Sequence, residues 1–194
     1  MNLFKIDNFK RVKHDWGYSD EFFIFPVGAS LSDDFKIRLS RLKIDKTEEG
    51  FDKNNGFRRF LVPISNNFAL NYNNSKMLIR KQSTFRFKGS DDVEALSEGV
   101  VFNMMLSEDL DGKLEVVKFK DKLIVKDDFL ADKILFCYNL GEELKIESFG
   151  KSLSLKQDEF AIIIPSDKYE IEFIPSENEN AIIWGKVILW GLAV

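Results

Sequence analysis

The feature that most constrains this chain is its rhythm: short apolar runs, each closed by turn-forming residues, with no helical period sustained over ten residues. The runs are Glu21–Val27, Phe35–Ile44, Phe57–Ile64, Thr84–Lys88, Val100–Leu106, Leu114–Phe119, Leu123–Lys126, Lys133–Tyr138, Glu159–Pro165, Tyr169–Pro175 and Ala181–Leu192. They are rich in Ile, Val, Phe, Leu and Trp, which suit a pleated, half-buried surface. Only Asp91–Glu98 and Ala131–Leu135 leave room for a short helix. Many short strands at this spacing predict an all-β sandwich or barrel.

Polar stretches divide the runs. Ser107–Lys113 reads as a linker between two halves, 1–110 and 111–194, and Asp45–Gly56 as a long loop within the first. Each half pairs a polar turn with a strand, in Phe85–Asp91 and in Leu155–Pro165, which look like the acidic turn entering a late strand of a cupin barrel. Phe35-Lys-Ile-Arg-Leu39 alternates cleanly, and then Leu42 and Ile44 fall out of phase. One extra residue near Ser40–Arg41 would restore the apolar face, so a β-bulge is expected there.

Composition excludes several classes. With 194 residues, 44% of them hydrophobic and a net charge of −4, the chain can build an unaided core and is not disordered. The pI of about 5.2 argues against nucleic-acid binding, which needs a basic stripe. A single cysteine, Cys137, and a single histidine, His14, rule out an intrachain disulfide, a Cys-cluster zinc site and a multi-His metal site. No cofactor or metal is expected, although carboxylates alone can hold Ca²⁺ or Mg²⁺. Met1-Asn-Leu-Phe-Lys5 begins no signal peptide, and Ala181–Val194 is shorter than the roughly 20 residues a membrane span needs. A cytoplasmic location away from any membrane is the expectation.

Trp16, Arg38-Leu-Ser40, Gly50-Phe51, Arg58-Arg59-Phe-Leu, Phe85-Arg-Phe-Lys-Gly89 and Gly99-Val-Val-Phe102-Asn103-Met-Met105 follow one another in an order that resembles the HutD/Ves family of bicupin-like proteins. The resemblance covers roughly residues 10–110 well and the remainder weakly. It implies a two-lobed cupin (double-stranded β-helix) fold lacking the usual metal-binding histidines, a link to histidine utilisation or stress response, and a regulatory rather than catalytic task. Two departures stand out. Gly17-Tyr-Ser-Asp-Glu21 keeps only part of the family's turn, and Val101 stands where an acidic residue is expected.

Arg38 and Ser40 lie two apart on one predicted strand and so share a face, with Phe35, Ile37 and Leu39 on the other. A guanidinium inside a barrel needs a partner, and a carboxylate matches it best. Arg58 and Arg59 point to opposite sides, and the family pattern favours Arg59 as a second clamp. The alternative for both Arg38 and Arg59 is pairing with internal acids, or solvation. All seven arginines lie at or before Arg86, which suits an anion site in the first half. Asn103, on a strand that disfavours Asn, either orders a loop or reads a ligand. Trp16 either flanks the ligand or simply packs. Phe102 and Met105 read as core, Cys137 as a small buried apolar residue, and His14 as a surface imidazole.

The leading expectation is a metal-free cupin binding a small carboxylate metabolite through Arg38, Ser40, Arg59, Asn103 and Trp16. Exposed edge strands leave room for a homodimer. The rival is a metal-independent isomerase or hydrolase drawing on His14, Asp15, Tyr18 or Asp91. A third outcome is a cavity filled by some of the nineteen phenylalanines.

Overall fold

Turn formers cut the chain largely where the pattern predicts, and the segments between them are strands. The structure, a computed structural model, describes residues 1–30, 34–47, 50–128, 131–165, 168–177 and 179–189. The described residues contain eighteen strands and no helix. Residues 190–192 of the predicted final run lie outside them. Neither candidate helix forms: Val93–Ala95 and Lys133–Asn139 are strands.

Two compact units result, one of residues 8–109 and one of residues 1–7 with 110 onward. The first strand, β1 (Asn2–Lys5), pairs antiparallel with β16 (Phe160–Ile164), from Asn2 opposite Ile164 to Lys5 opposite Ala161. The expected first half, 1–110, therefore loses its opening residues, because Met1 and Leu3 pack against the core of the later unit.

The unit of residues 8–109 holds β2 (Lys10–His14), β3 (Gly17–Phe25), β4 (Ile37–Ile44), β5 (Phe57–Pro63), β6 (Phe68–Tyr72), β7 (Ser75–Ile79), β8 (Phe85–Lys88), β9 (Val93–Ala95) and β10 (Gly99–Ser107). Its six-stranded sheet runs β2-β3-β4-β10-β5-β8 and its three-stranded sheet β7-β6-β9, all antiparallel. Leu42, Ile44, Leu61 and Val101 from the larger sheet meet Phe68, Leu70 and Ala95 from the smaller. Asp20, fully buried on β3, ties three strands together. It accepts from Arg11 at 2.6 and 3.0 Å and from Arg41 at 2.8 Å.

The other unit holds β11 (Asp111–Phe119), β12 (Leu123–Asp127), β13 (Lys133–Asn139), β14 (Glu143–Ser148), β15 (Lys151–Lys156), β16, β17 (Tyr169–Pro175) and β18 (Asn180–Ile188), with β1. Its sheets run β1-β16-β13-β18-β11 and β12-β17-β14-β15. The core is built from residues such as Leu135, Ile146, Ile171, Phe173 and Trp184, with Lys133 buried against Tyr169 and paired with Asp127. Cys137 lies among them, fully buried, and burial pushes its thiol well above the ordinary range.

The expected bulge in β4 is absent. Its register with β10 runs without a break from Ile37 opposite Leu106 to Ile44 opposite Gly99. The extra residue is Phe22 in β3, where pairing jumps from Glu21–Ser40 to Phe23–Leu39. Sequence alone favoured β4 because apolar residues change phase there. The cause is that β4 is buried on both faces: Ile37 and Leu39 on one, Leu42 and Ile44 on the other. The second face is also that of Arg38 and Ser40.

Candidate functional site

That shared face sets the site. Across β4, β10 and β5, Arg38 stands opposite Met105 and Met105 opposite Arg59, while one row along Ser40 stands opposite Asn103 and Asn103 opposite Leu61. Directly opposed residues point to the same side. The next row, Leu42, Val101 and Pro63, is apolar. The interior of this unit is therefore graded, with hydrocarbon at one end and two arginines, a hydroxyl and an amide at the other.

The polar groups form two bonded chains. Arg59 Nη2 donates to Asn103 Oδ1 at 3.3 Å, and Asn103 Nδ2 donates to Ser40 Oγ at 3.2 Å. Arg38 Nε donates to Glu21 Oε2 at 2.9 Å, and its Nη2 to Ser19 Oγ at 3.1 Å. His14 Nε2 lies 3.0 Å from the same Ser19 oxygen. Ser19 already accepts from Arg38, so its own proton is free to go to a neutral imidazole nitrogen. Burial first, and the Arg38 charge second, hold the His14 pKa below its usual 6.5.

The two arginines differ in their counter-charges. Arg38 has a carboxylate, Glu21. Arg59 has none among the described residues, although it is only 5% exposed. Its Nη1 donates to the Asp52 backbone carbonyl at 3.2 Å and its Nε has no partner. The Phe51 and Phe87 rings lie 5.1 and 5.3 Å from its guanidinium carbon. Burial, then the repulsion of Arg38, push its pKa down from the ordinary arginine value to about 10. It remains charged at neutral pH.

Both arginines border a cavity of about 170 Å³. Trp16 and His14 wall one side, their rings stacked with centroids 4.3 Å apart and planes 6° from parallel. Trp16 holds its place through its carbonyl, which accepts from Asp45 N at 2.8 Å, and through the following Gly17. A Cβ on Gly17 would sit 2.0 Å from the Lys43 carbonyl oxygen, and its φ of +145° is one that side chains rarely adopt. The loop 50–56 supplies Phe51, Asp52 and Asn54 to the lining.

Of the five residues expected from sequence, Trp16, Arg38 and Arg59 border the cavity, while Ser40 and Asn103 lie fully buried behind it as the bonded backing. His14, expected to be a surface imidazole, is half-buried and borders it too. Its setting is created by Ser19 and Arg38 from other strands, which no local pattern could reveal. Asp52 and Asn54 were missed because a loop carries no periodicity. Asp15, Tyr18 and Asp91 do not border the cavity. Asp15 is exposed, Tyr18 stacks under Arg11 at 4.0 Å, and Asp91 accepts from Tyr72 Oη at 3.1 Å in a separate cleft. That cleft, of about 700 Å³, is larger but is an open surface groove. No group of three His, Cys, Asp or Glu that could hold a metal occurs among the described residues.

No family model matches the sequence, and no curated protein sequence does. Solved structures do match. PA5104, a conserved protein of unknown function from Pseudomonas aeruginosa PAO1, is similar with a TM-score of 0.83 at 16% identity, over 96% of this chain and 99% of that one. HutD from Pseudomonas fluorescens SBW25 (formate condition) is similar with a TM-score of 0.75 at 16% identity, over 97% and 99%. A cupin 2 conserved barrel domain protein from Leptotrichia buccalis follows with a TM-score of 0.57 at 12% identity, over 89% and 88%. The chain therefore has an all-β, cupin-like fold, and the HutD resemblance read from sequence holds at the level of fold. No helix of the described residues is long and apolar enough to cross a membrane.

Proposed function

We propose that this chain is a binding protein for a small carboxylate, with the arrangement of a two-lobed bicupin whose first lobe carries the ligand and whose task, in the cytoplasm, is regulatory. The observation that supports this best is Arg59: a buried guanidinium with an unpartnered Nε, no carboxylate partner among the described residues, and a second cation close enough to depress its pKa. Buried charges are ordinarily paired, and a carboxylate is the acceptor best matched to a guanidinium. Arg38 adds positive charge, Asn103 and Ser40 hold Arg59 in place, and the Trp16–His14 stack flanks the ligand's carbon frame. A cavity near 170 Å³ suits about six to eight heavy atoms, since roughly 150 Å³ accommodates benzene. The link to histidine utilisation or stress response rests on the HutD resemblance alone.

Calorimetric titration with formate, acetate and propionate, each against its uncharged amide, tests the reading. The acids should bind and the amides should not, and equal behaviour of acid and amide would overturn it. A second reading, a metal-independent isomerase or hydrolase, draws on His14, whose depressed pKa keeps it a neutral base beside the cavity. Turnover of a bound acid, followed by chromatography and lost in His14→Gln, would replace the first reading with the second.

A further inference from the structure

A charge of the opposite sign also borders the cavity, on an exposed residue of the loop 50–56. Asp52 borders it, and its carboxylate accepts no hydrogen bond and forms no ion pair among the described residues. Only its backbone carbonyl is used, by Arg59 Nη1 at 3.2 Å and by Asn54 Nδ2 at 2.8 Å. The Asp52 charge nevertheless reaches into the site, opposing the effect of burial on both His14 and Arg59. Glu21 is paired with Arg38, and His14 is held toward its neutral form, so Arg59 and Asp52 are the two charges bordering the cavity that have no ion-pair partner among the described residues.

From this we infer that the ligand is a zwitterion of the small amino-acid type, its carboxylate held by Arg59 and its ammonium facing Asp52. The inference rests on the carboxylate reading above and narrows it. A simple acid satisfies Arg59 while leaving Asp52 to repel it, and a dicarboxylate doubles that repulsion. An α-amino acid places a cation next to its own carboxylate and turns the same aspartate into an attraction. Specificity of this kind is a difference between affinities, and a misplaced like charge is how a site rejects a competitor. At about 170 Å³ the cavity takes the size of alanine, serine, valine or proline, with the Trp16–His14 face and Leu42 against the side chain.

The test pairs each amino acid with the acid that lacks only its amino group: L-alanine with propionate, L-valine with 3-methylbutanoate, L-proline with cyclopentanecarboxylate. Affinities come from calorimetry on the full chain, with Asp52→Asn alongside. Asp52 is exposed, so the variant keeps its fold, and circular dichroism checks this. The amino acids should bind about tenfold tighter than their partners, equivalent to about 1.4 kcal/mol. In Asp52→Asn that preference should vanish through weaker binding of the amino acids, with no weakening of the acids. If the acids bind as tightly as the amino acids or more so, the zwitterion inference falls and the carboxylate reading stands. If neither class binds at millimolar concentration, both fall.

Discussion

Arg59 gives the sharpest separation between a ligand-binding group and a structural strut. Arg59→Met retains most of the side chain's volume and apolar stem and removes the charge. The folded-state pKa of about 10 lies below the ordinary arginine value, so the unfolded chain holds the proton more tightly than the folded one. The cost is therefore fully present below about pH 10 and disappears only as pH rises toward that ordinary value. At about 1.4 kcal/mol per factor of ten, it is about 3 kcal/mol at neutral pH. Methionine relieves it but leaves the buried Asn103 Oδ1 without its donor, a loss of about 1–3 kcal/mol. The Asp52 carbonyl keeps its bond from Asn54. The terms largely offset, so the unliganded variant should melt within about 8 °C of the native chain, taking roughly 2–4 °C per kcal/mol for a chain of this size. The ligand response should not survive. A carboxylate present at a hundredfold over its Kd stabilises by about 2.7 kcal/mol, which is about 5–10 °C on the same scale, and Arg59→Met should abolish that shift. Differential scanning calorimetry with and without propionate measures both quantities. A fall of more than about 10 °C in the unliganded variant, with an undiminished propionate shift, would refute the reasoning, because Arg59 would then be holding the fold rather than awaiting an anion.

Arg38→Met should behave in the opposite way. It strands the nearly buried Glu21 carboxylate, and breaking such a pair costs about 3–5 kcal/mol, to be read as a lower Tm without ligand. Gly17→Ala forces a Cβ into the Lys43 carbonyl at an unfavourable φ, so stability should fall by about 2–4 kcal/mol and the fluorescence of the neighbouring Trp16 should change. His14 should link binding to pH. A bound carboxylate offsets the Arg38 charge that helps depress its pKa, so binding takes up a proton and propionate affinity should rise severalfold as pH falls below 6.5. His14→Gln should flatten that dependence, as followed by titration at several pH values.

The legible part of the fold is the part with dense β-branched and aromatic runs: β4, β10, β13, β16, β17 and β18 all announce themselves. The pattern passed over β1, β2, β6, β7, β9, β14 and β15 because they are short and mix Lys, Arg, Asn, Ser or Glu into their strands. The β6–β7 hairpin is instead written in its turn. Asn73 and Asn74 adopt φ of 47° and 64°, a pair of left-handed residues that suits a two-residue connection and that Asn tolerates. For the site, Arg38 and Ser40 could be read as an intrusion into an apolar strand, because alternation fixes which face they share. Their companions could not. Glu21, Ser19 and His14 come from strands whose relation to β4 depends on the bulge at Phe22, and Asp52 comes from a loop.

The interiors of the two units explain why the arginines can be read as a site rather than as an accident of packing. In the later unit the inward residues of β13 and β18 that pack its core are Leu135, Cys137, Ile182 and Trp184, and the thiol among them is driven to its neutral form by burial alone. Where that face does carry charge it is paired: Lys133, almost fully buried, and Lys186 lie 3.3 and 2.8 Å from Asp127 Oδ2. In the unit of residues 8–109, the corresponding kind of strand face, on β4 and β10, begins as hydrocarbon at Leu42 and Val101 and ends in Ser40, Asn103, Arg38 and Arg59. Hydrophobic residues of similar volume would stabilise that end as well or better, because buried ion pairs rarely outperform an apolar core. A β-barrel that retains two guanidiniums there, one of them with no ion-pair partner among the described residues, bears a desolvation cost that an incoming anion would offset.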